Sequence, residues 1–333
     1  MHFRYLDSLR GIAILGVMIL YASELSHQPS NVIELTLSGQ RGVQLFYVLS
    51  AFTLFLSTDN RKNKEKNPTY NFFIRRFFRI APLYYLAIVG NIIITKLTHL
   101  RLTEDKLTTY DIISGFLFVN GFNPHSINSV AKGGWSIAVE SSFYILFPLL
   151  YSNFNSLKKS ILLLILSIFV CIPISWKLAD FYPAFTEYFT VRYFPIELPI
   201  FCMGIFTYQL WKERENIINY SKVNIKNRQI ISIILILYSS AIFIFSFPYD
   251  NGTLMLSSSA FIFLILGLAI HNWYFLVNPF TQFLGKISYS LYLIHFFIFK
   301  FTQILLLKID KNAMGNISGL ALFMVISYVQ DKN

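Results

Sequence analysis

Charge is scarce in this sequence. Only 14% of its 333 residues are Asp, Glu, Lys or Arg, whereas a soluble domain carries about a quarter. With 55% hydrophobic residues and a mean hydropathy of +0.53, the composition excludes an ordinary soluble domain. The chain also lacks a glycine-rich phosphate loop, a GxSxG turn, a metal-ligand cluster and internal repeats. Functional sites must therefore be built from scattered polar residues.

Cysteine is equally rare. The two cysteines, Cys171 and Cys202, both lie inside apolar runs. Such cysteines usually behave as small buried hydrophobic residues. They indicate no redox compartment, and no metal is predicted.

Long apolar runs are what the sequence has in abundance. A helix of roughly 20 residues crosses a bilayer, and the runs predict an all-α, polytopic membrane bundle of about ten transmembrane helices. They cover 11–23, 42–57, 80–97, 135–151, 160–178, 193–211, 230–247, 253–271, 287–307 and 317–329. A shorter run, 110–122, is interrupted by polar residues and glycine, and it is predicted to be interfacial or re-entrant.

The net charge of +11 could suggest a nucleic-acid partner, but the placement of the charge argues against one. Most Lys and Arg lie in short loops, with clusters over 61–79 and 212–228. Ten spans put both clusters on the side of the N-terminus, which the positive-inside rule places in the cytoplasm. Membrane lipid is the expected surrounding.

Two charged residues stand at the beginning of the first apolar run. Asp7 and Arg10 precede it, and Tyr21 follows eleven residues after Arg10, about 16 Å further along a helix. A polar group at depth beneath a charged mouth is typical of a buried reaction site or pathway. The alternative is a signal anchor with a flanking charge.

A second cluster of cations follows the loop after 57. Arg75, Arg76 and Arg79 alternate with phenylalanines over 72–79, a pattern that favours a helix at the inner surface with its cations directed at anions. Arginine forks suit a phosphate-rich ligand. Attraction to anionic lipid headgroups is the alternative.

An unusual carboxylate lies in the stretch 121–150. The helix predicted from Trp135 contains Glu140 within its first two turns, where an unpaired carboxylate in lipid is costly. It is expected either to mark a pathway or to pair structurally with Arg192 or His125.

Two further polar positions stand near apolar runs. Arg192 and Glu197 lie at the outer end of the sixth run, where an ion pair that fastens helices and a substrate contact are both open. His295 lies in the middle of a run, and a hydrogen bond within the bundle is the favoured interpretation over catalysis.

Five blocks of the sequence together resemble the acyltransferase-3 family of integral-membrane O-acyltransferases. Their order and spacing match the family over almost the whole chain. They are LDSLRGIAILGV (6–17), GVQLFYVLSAFTLF (42–55), FIRRFFRIAPLYYL (73–86), GGWSIAVESSFYILFPLL (133–150) and LGKISYSLYLIHF (284–296).

The resemblance implies a single domain over 1–333 in the bacterial inner membrane. Family members move an acyl group, commonly acetyl from acetyl-CoA, to a hydroxyl of a cell-surface glycan or lipid-linked sugar. Acyl-CoA is then a donor substrate, and no permanently bound cofactor or nucleic acid is expected. A homo-oligomer is possible.

The resemblance also assigns residues. Arg10 and the pair Arg76 and Arg79 are expected to face the CoA phosphates, with Arg75 beside them. Glu140 is expected to support the reacting groups, with Asp7 and Tyr21 as further catalytic candidates. Candidates for acceptor contacts or structural polar roles are Trp135, Ser136, His125, Arg192, Glu197 and His295.

The chain departs from the family pattern in two places. Tyr21 stands where the family has a histidine as presumed general base, and a phenol with an ordinary pKa near 10 is a poor base at neutral pH. The final run, 317–329, is short and its basic continuation is missing, which suggests truncation. Our hypothesis is that activity is lost or reduced.

Two other functions remain open. A catalytically silent member would bind donor or partner without turnover, as Tyr21 allows. A transporter of lipid-linked sugar would favour inverted repeats and matching broken spans, and the sequence shows no such symmetry.

Overall fold

The computed structural model describes residues 3–25, 36–62, 64–98, 107–183, 189–218, 223–247 and 253–309. All regular structure within these ranges is helical. The helices of eight or more residues are α1 (Arg4–Leu25), α2 (Gly42–Arg61), α3 (Pro68–Thr98), α4 (Thr109–Phe116), α5 (Gly134–Asn153), α6 (Leu157–Phe181), α7 (Phe194–Ile218), α8 (Ile225–Phe245), α9 (Leu254–Ile270) and α10 (Pro279–Ile309).

Nine of the ten predicted apolar runs coincide with helices, namely α1–α3 and α5–α10, and none extends more than two residues beyond its helix. The tenth, 317–329, lies outside the described residues. Six helices, α1, α2, α3, α6, α7 and α8, are long and apolar enough to cross a membrane, and α9 is a shorter apolar helix. The chain is therefore an all-α membrane protein, as its composition predicts.

The segment 110–122 does not form a long helix. It contains α4, with eight residues, which is only about 12 Å long and cannot cross a bilayer. Thr108 begins α4 with a reciprocal capping box to Asp111. Burial raises the pKa of the Asp111 carboxyl, but hydrogen bonds from Ser126 and Thr108 outweigh burial and lower it below its usual value.

The structure of the basic segment 72–79 differs from the predicted helix at the inner surface. It is not a separate surface helix, because α3 runs without interruption through 72–79 and on into the apolar run 80–97. Its 31 residues extend about 46 Å, longer than a hydrocarbon core of about 30 Å. The arginine-bearing turns thus continue the span rather than lie across its end.

Two glycines allow α1 and α10 to pack very closely. A Cβ on Gly11 would overlap the carbonyl oxygen of Thr281, and a Cβ on Gly285 would overlap that of Asp7. Small residues at such a crossing let two backbones touch. This crossing sets the position of the charged end of α1 against α10.

At the same end of the bundle, one carboxylate connects three other helices, α2, α5 and α7. Asp59 of α2 accepts hydrogen bonds from Tyr151 of α5 and from Tyr208 of α7, each at 2.6 Å. The ammonium group of Lys212, also on α7, lies 2.6 Å from it. Outside this bundle, α6 and α8 expose apolar side chains such as Phe169, as helices that face lipid do.

Candidate functional site

A central cavity of about 80 Å³ lies between α1, α2, α3, α5 and α10. We name the end of the bundle at the N-terminus of α1 the inner end, and the opposite end the outer end. Toward the inner end the cavity is lined by Arg10, Arg76 and Arg79. Deeper along its wall lie Glu140 and Ser136. Five predicted site residues from three helices therefore share one cavity.

Arg10 is held in place by its neighbours. Its guanidinium donates hydrogen bonds to Asp7 at 3.4 Å and to the hydroxyl of Thr53 at 3.1 Å. Asp7 is buried and stands one helical turn earlier, so the pair forms on the same face of α1. In this geometry Asp7 contacts the Arg10 guanidinium and offsets its charge.

Glu140 is fixed by two hydroxyl groups. Ser50 of α2 donates to its carboxylate at 2.6 Å, and Tyr144, one turn later on α5, donates at 2.5 Å. These partners are different from Arg192 and His125, the structural partners that the sequence allowed. The guanidinium of Arg76 lies 5.5 Å from the centroid of the Tyr144 ring, so cation, phenol and carboxylate follow one another along the cavity wall.

A wider inner vestibule of about 470 Å³ adjoins the central cavity. The two share Arg10, Thr53, Arg76 and Arg79, so the same guanidinium groups face both cavities. Arg61 lines the vestibule as well. The inner end of the bundle therefore presents a cationic entrance.

Arg75 lines neither the central cavity nor the vestibule. It lines a neighbouring hollow of about 200 Å³ and forms an ion pair with Glu65 in the loop before α3, with a shortest distance of 2.9 Å. Arg61 approaches the same carboxylate at 3.3 Å. Hydrogen bonding by Arg75 lowers the pKa of Glu65 below its ordinary value.

A further cavity, the outer cavity, has a volume of about 90 Å³ and begins where the central cavity ends. The two meet at Val43. The polar and aromatic residues lining the outer cavity are Tyr21, Gln40, Arg41, Gln44, Trp135, Arg192 and Glu197. Tyr21 is thus in the cavity next to that of Glu140, and one continuous cavity does not contain both.

The central cavity is also lined by a hydrogen-bonded pair. The Ser136 hydroxyl lies 2.8 Å from the Tyr292 hydroxyl, and Tyr292 also donates to the carbonyl of Gly133 at 3.2 Å. The backbone of Gly133 has a φ of +79°, a region that favours glycine. This left-handed residue immediately precedes α5, and its carbonyl accepts from Tyr292 of α10.

Arg192 and Glu197 both line the outer cavity and do not form the ion pair that was one of the two open interpretations. Among the described residues, Glu197 accepts its hydrogen bond from the Gln44 amide at 3.0 Å. The guanidinium of Arg192 lies 5.2 Å from the ring centroid of Trp135. Both side chains therefore line the outer cavity, but they make their contacts with different residues.

The two histidines among the predicted site residues lie outside these cavities. His125 is exposed in the turn before α5. His295 is fully buried, with Nδ1 at 3.0 Å from the carbonyl of Leu291, as the bundle interpretation predicts. Its ring centroid lies 5.6 Å from that of Tyr21, so the two rings pack against each other beside the outer cavity.

The sequence analysis missed several residues of the site. On α2, one side chain every three residues faces the two cavities: Gln44, Tyr47, Ser50 and Thr53. This polar stripe in an apolar run, together with a tyrosine four residues after Glu140, was a signal that could have identified them. Tyr292 carries no comparable sequence signal.

Comparison with known proteins gives one family and several relatives. The profile described as "Acyltransferase domain" matches residues 3–329. "Peptidoglycan O-acetyltransferase OatA" of Listeria monocytogenes is 29% identical over 155 residues, 44% of this chain and 24% of the relative. "Putative acetyltransferase ORF330" of Acidianus two-tailed virus is 27% identical over 297 residues, 86% and 80% of the two chains.

A Staphylococcus aureus (strain COL) protein named "Putative O-acetyltransferase SACOL0978" is 27% identical over 328 residues, 90% of this chain and 51% of the relative. The chain therefore spans about half or less of the length of these bacterial relatives. No solved structure matches it. Because the family profile covers nearly the whole sequence and the helices place its motif residues around common cavities, the chain belongs to the acyltransferase-3 family of membrane proteins.

Proposed function

We propose that this protein is a membrane O-acyltransferase with a cytoplasmic N-terminus. It transfers an acyl group, in the first place acetyl from acetyl-CoA, to a hydroxyl of a cell-surface glycan or lipid-linked saccharide. The observation that carries the proposal is the convergence of Arg10, Arg76 and Arg79 on one entrance, with Glu140 in the cavity behind them. The names of the relatives support the reaction class.

The donor would bind at the inner end. CoA is rich in phosphate, and guanidinium groups bind phosphate through strong charge-assisted hydrogen bonds. Arg10, Arg76 and Arg79 line the central cavity together, although Arg79 is also exposed at the surface. The convergence of three guanidinium groups on one cavity favours a ligand that enters the bundle over lipid headgroups alone. The thioester would then reach toward the central cavity.

The acceptor would approach from the outer end. Glu140, held by Ser50 and Tyr144, would orient the reacting groups or relay a proton within the central cavity. The acceptor hydroxyl would attack the thioester carbonyl near the junction of the central and outer cavities. Placing donor and acceptor in adjoining cavities would bring the reactants together across the membrane protein.

Donor binding tests the proposal directly. We expect the double variant Arg76→Gln/Arg79→Gln to weaken CoA binding at least tenfold, because each hydrogen bond to a charged group contributes about 1.5–3 kcal/mol. The measurement is equilibrium binding of radiolabelled CoA to the full chain in lipid nanodiscs. The control is Arg228→Gln, an inner-end arginine of α8 that contacts the Val223 carbonyl. Equal CoA affinity in all three proteins would contradict the donor site.

A second candidate function is that of a silent family member which binds donor without turnover. Tyr21, at the position where the family resemblance predicts a histidine, favours it. We expect Tyr21→His to raise the amount of base-labile acetate on surface glycan above that of the unsubstituted chain, since imidazole titrates near neutral pH. If the gain is absent while CoA still binds, Tyr21 is not the residue that limits turnover.

A further inference from the structure

The outer cavity contains two buried oxygen atoms that lack hydrogen-bond donors. Glu197 is 1% exposed and Gln44 is 5% exposed. The Gln44 amide donates to Oε1 of Glu197 at 3.0 Å. Glu197 Oε2 and the side-chain oxygen of Gln44 have no hydrogen-bond partner among the described residues. One hydrogen bond thus holds the two side chains together, while one oxygen atom of each lacks a donor among the described residues.

Unsatisfied buried acceptors are costly, and native structures satisfy most of them. Both side chains line the outer cavity, so a ligand in that cavity can supply the missing donors. The ligand that fits has O–H groups, at least two of them, close together. A saccharide with neighbouring hydroxyls has this chemistry.

The neighbours of Glu197 also suit a reaction. Tyr21 lines the same cavity, but a phenol is a weak base at neutral pH. The carboxyl group of Glu197 lines it too, with an oxygen that accepts no hydrogen bond among the described residues. Trp135 also lines this cavity, and the Arg192 guanidinium lies 5.2 Å from the centroid of its ring. Glu197 is therefore the residue of this cavity that can accept the proton of a bound hydroxyl.

We propose that Gln44 and Glu197 bind a polyhydroxylated acceptor, and that Glu197 is the catalytic base that takes the proton of the attacking hydroxyl. The inference rests on the proposed acyltransferase function. The hydroxyl oxygen forms a bond to the thioester carbonyl carbon as its proton moves to Glu197. The carbon–sulfur bond then breaks, its electron pair leaves on the CoA thiolate, and the proton is passed on to that thiolate.

The test uses variants that keep the shape of the site. Glu197→Gln retains the atom that accepts from Gln44 but cannot take a proton. We expect transfer to fall about 10²–10⁴-fold, the usual loss when a general base is removed, with CoA binding unchanged. Glu197→Asp keeps a carboxylate and should recover part of the activity. Glu213→Gln makes the same chemical change on the same helix, away from the described cavities, and should behave as the unsubstituted chain.

Transfer is measured as base-labile acetate on the surface polysaccharide of the native cells, with the chromosomal copy deleted and each variant supplied in trans. CoA binding is measured in nanodiscs with the same full-length proteins. Loss of transfer in Glu197→Gln with normal CoA binding, and partial recovery in Glu197→Asp, support the inference. Full transfer in Glu197→Gln overturns it, and so does loss of CoA binding, which would indicate a structural role. If the unsubstituted chain binds no CoA and adds no acetate, the proposed function itself fails.

Discussion

Among single residues, Glu65 offsets part of the positive charge at the inner entrance. Its carboxylate lies between Arg75 and Arg61, at 2.9 and 3.3 Å, and its lowered pKa keeps it ionised at neutral pH. Both arginines line the hollow beside the vestibule together with Arg76 and Arg79. Glu65 thus stands where a phosphate oxygen would be attracted, and it competes with any anion for these guanidinium groups.

We expect Glu65→Gln to strengthen CoA binding about two- to fivefold at low ionic strength, the range set by exposed ion pairs. The gain should vanish in high salt, because screening weakens contacts between exposed charges. Titration of nanodisc-embedded protein with CoA at two salt concentrations measures both effects. Glu213→Gln serves as the control, and weaker CoA binding by Glu65→Gln at low salt would refute this competition.

Among the helices, the crossing of α1 and α10 determines where the first charged residues stand. Gly285 lies directly against the backbone of Asp7, and Asp7 in turn holds Arg10. A side chain at this crossing would push the two helices apart and move the Asp7–Arg10 pair. The helix contact and the position of Arg10 at the inner end are therefore mechanically linked.

Gly285→Ala is expected to destabilise the folded protein by about 1–3 kcal/mol, as overpacking does, and to weaken CoA binding as well. Thermal unfolding in detergent and CoA titration are the measurements. Gly90→Ala is the matched control, since its added Cβ would meet only the Phe297 ring at an ordinary 3.6 Å. A melting temperature of Gly285→Ala equal to that of the control would show that the two helices can separate without cost.

On the scale of the whole molecule, the three cavities follow one another along the bundle axis. The inner vestibule shares residues with the central cavity, which meets the outer cavity at Val43. The proposed reaction needs the two ends of this series on opposite sides of the membrane. Lys66 is exposed near the inner end and His125 is exposed near the outer end.

Cysteine labelling tests this orientation. In intact cells, a membrane-impermeant thiol reagent should label His125→Cys, whereas Lys66→Cys should react only after the membrane is opened. The background should be low, because the native Cys171 and Cys202 are buried. Labelling of Lys66→Cys from outside would reverse the proposed topology and remove the cytoplasmic entrance for CoA.

The sequence by itself determined the features that depend on local chemistry. Apolar runs of membrane length predict helices because the backbone must satisfy its own hydrogen bonds in lipid, and nine of these runs are helical in the described residues. It also identified the arginines, Glu140 and Glu197, because charges in or beside apolar runs are conspicuous. It erred on 72–79, since an interfacial helix and the end of a long span have the same pattern.

Only the tertiary structure decided which of these residues meet. The eleven-residue spacing from Arg10 to Tyr21 gives a distance along α1, but the cavity that each side chain lines depends on how α2, α5 and α10 cross α1. Those crossings are fixed by backbone contacts such as that of Gly285 with Asp7, between residues far apart in sequence. Glu140 therefore has Ser50 and Tyr144 as partners, while Glu197, paired with Gln44, lies with Tyr21 in the outer cavity.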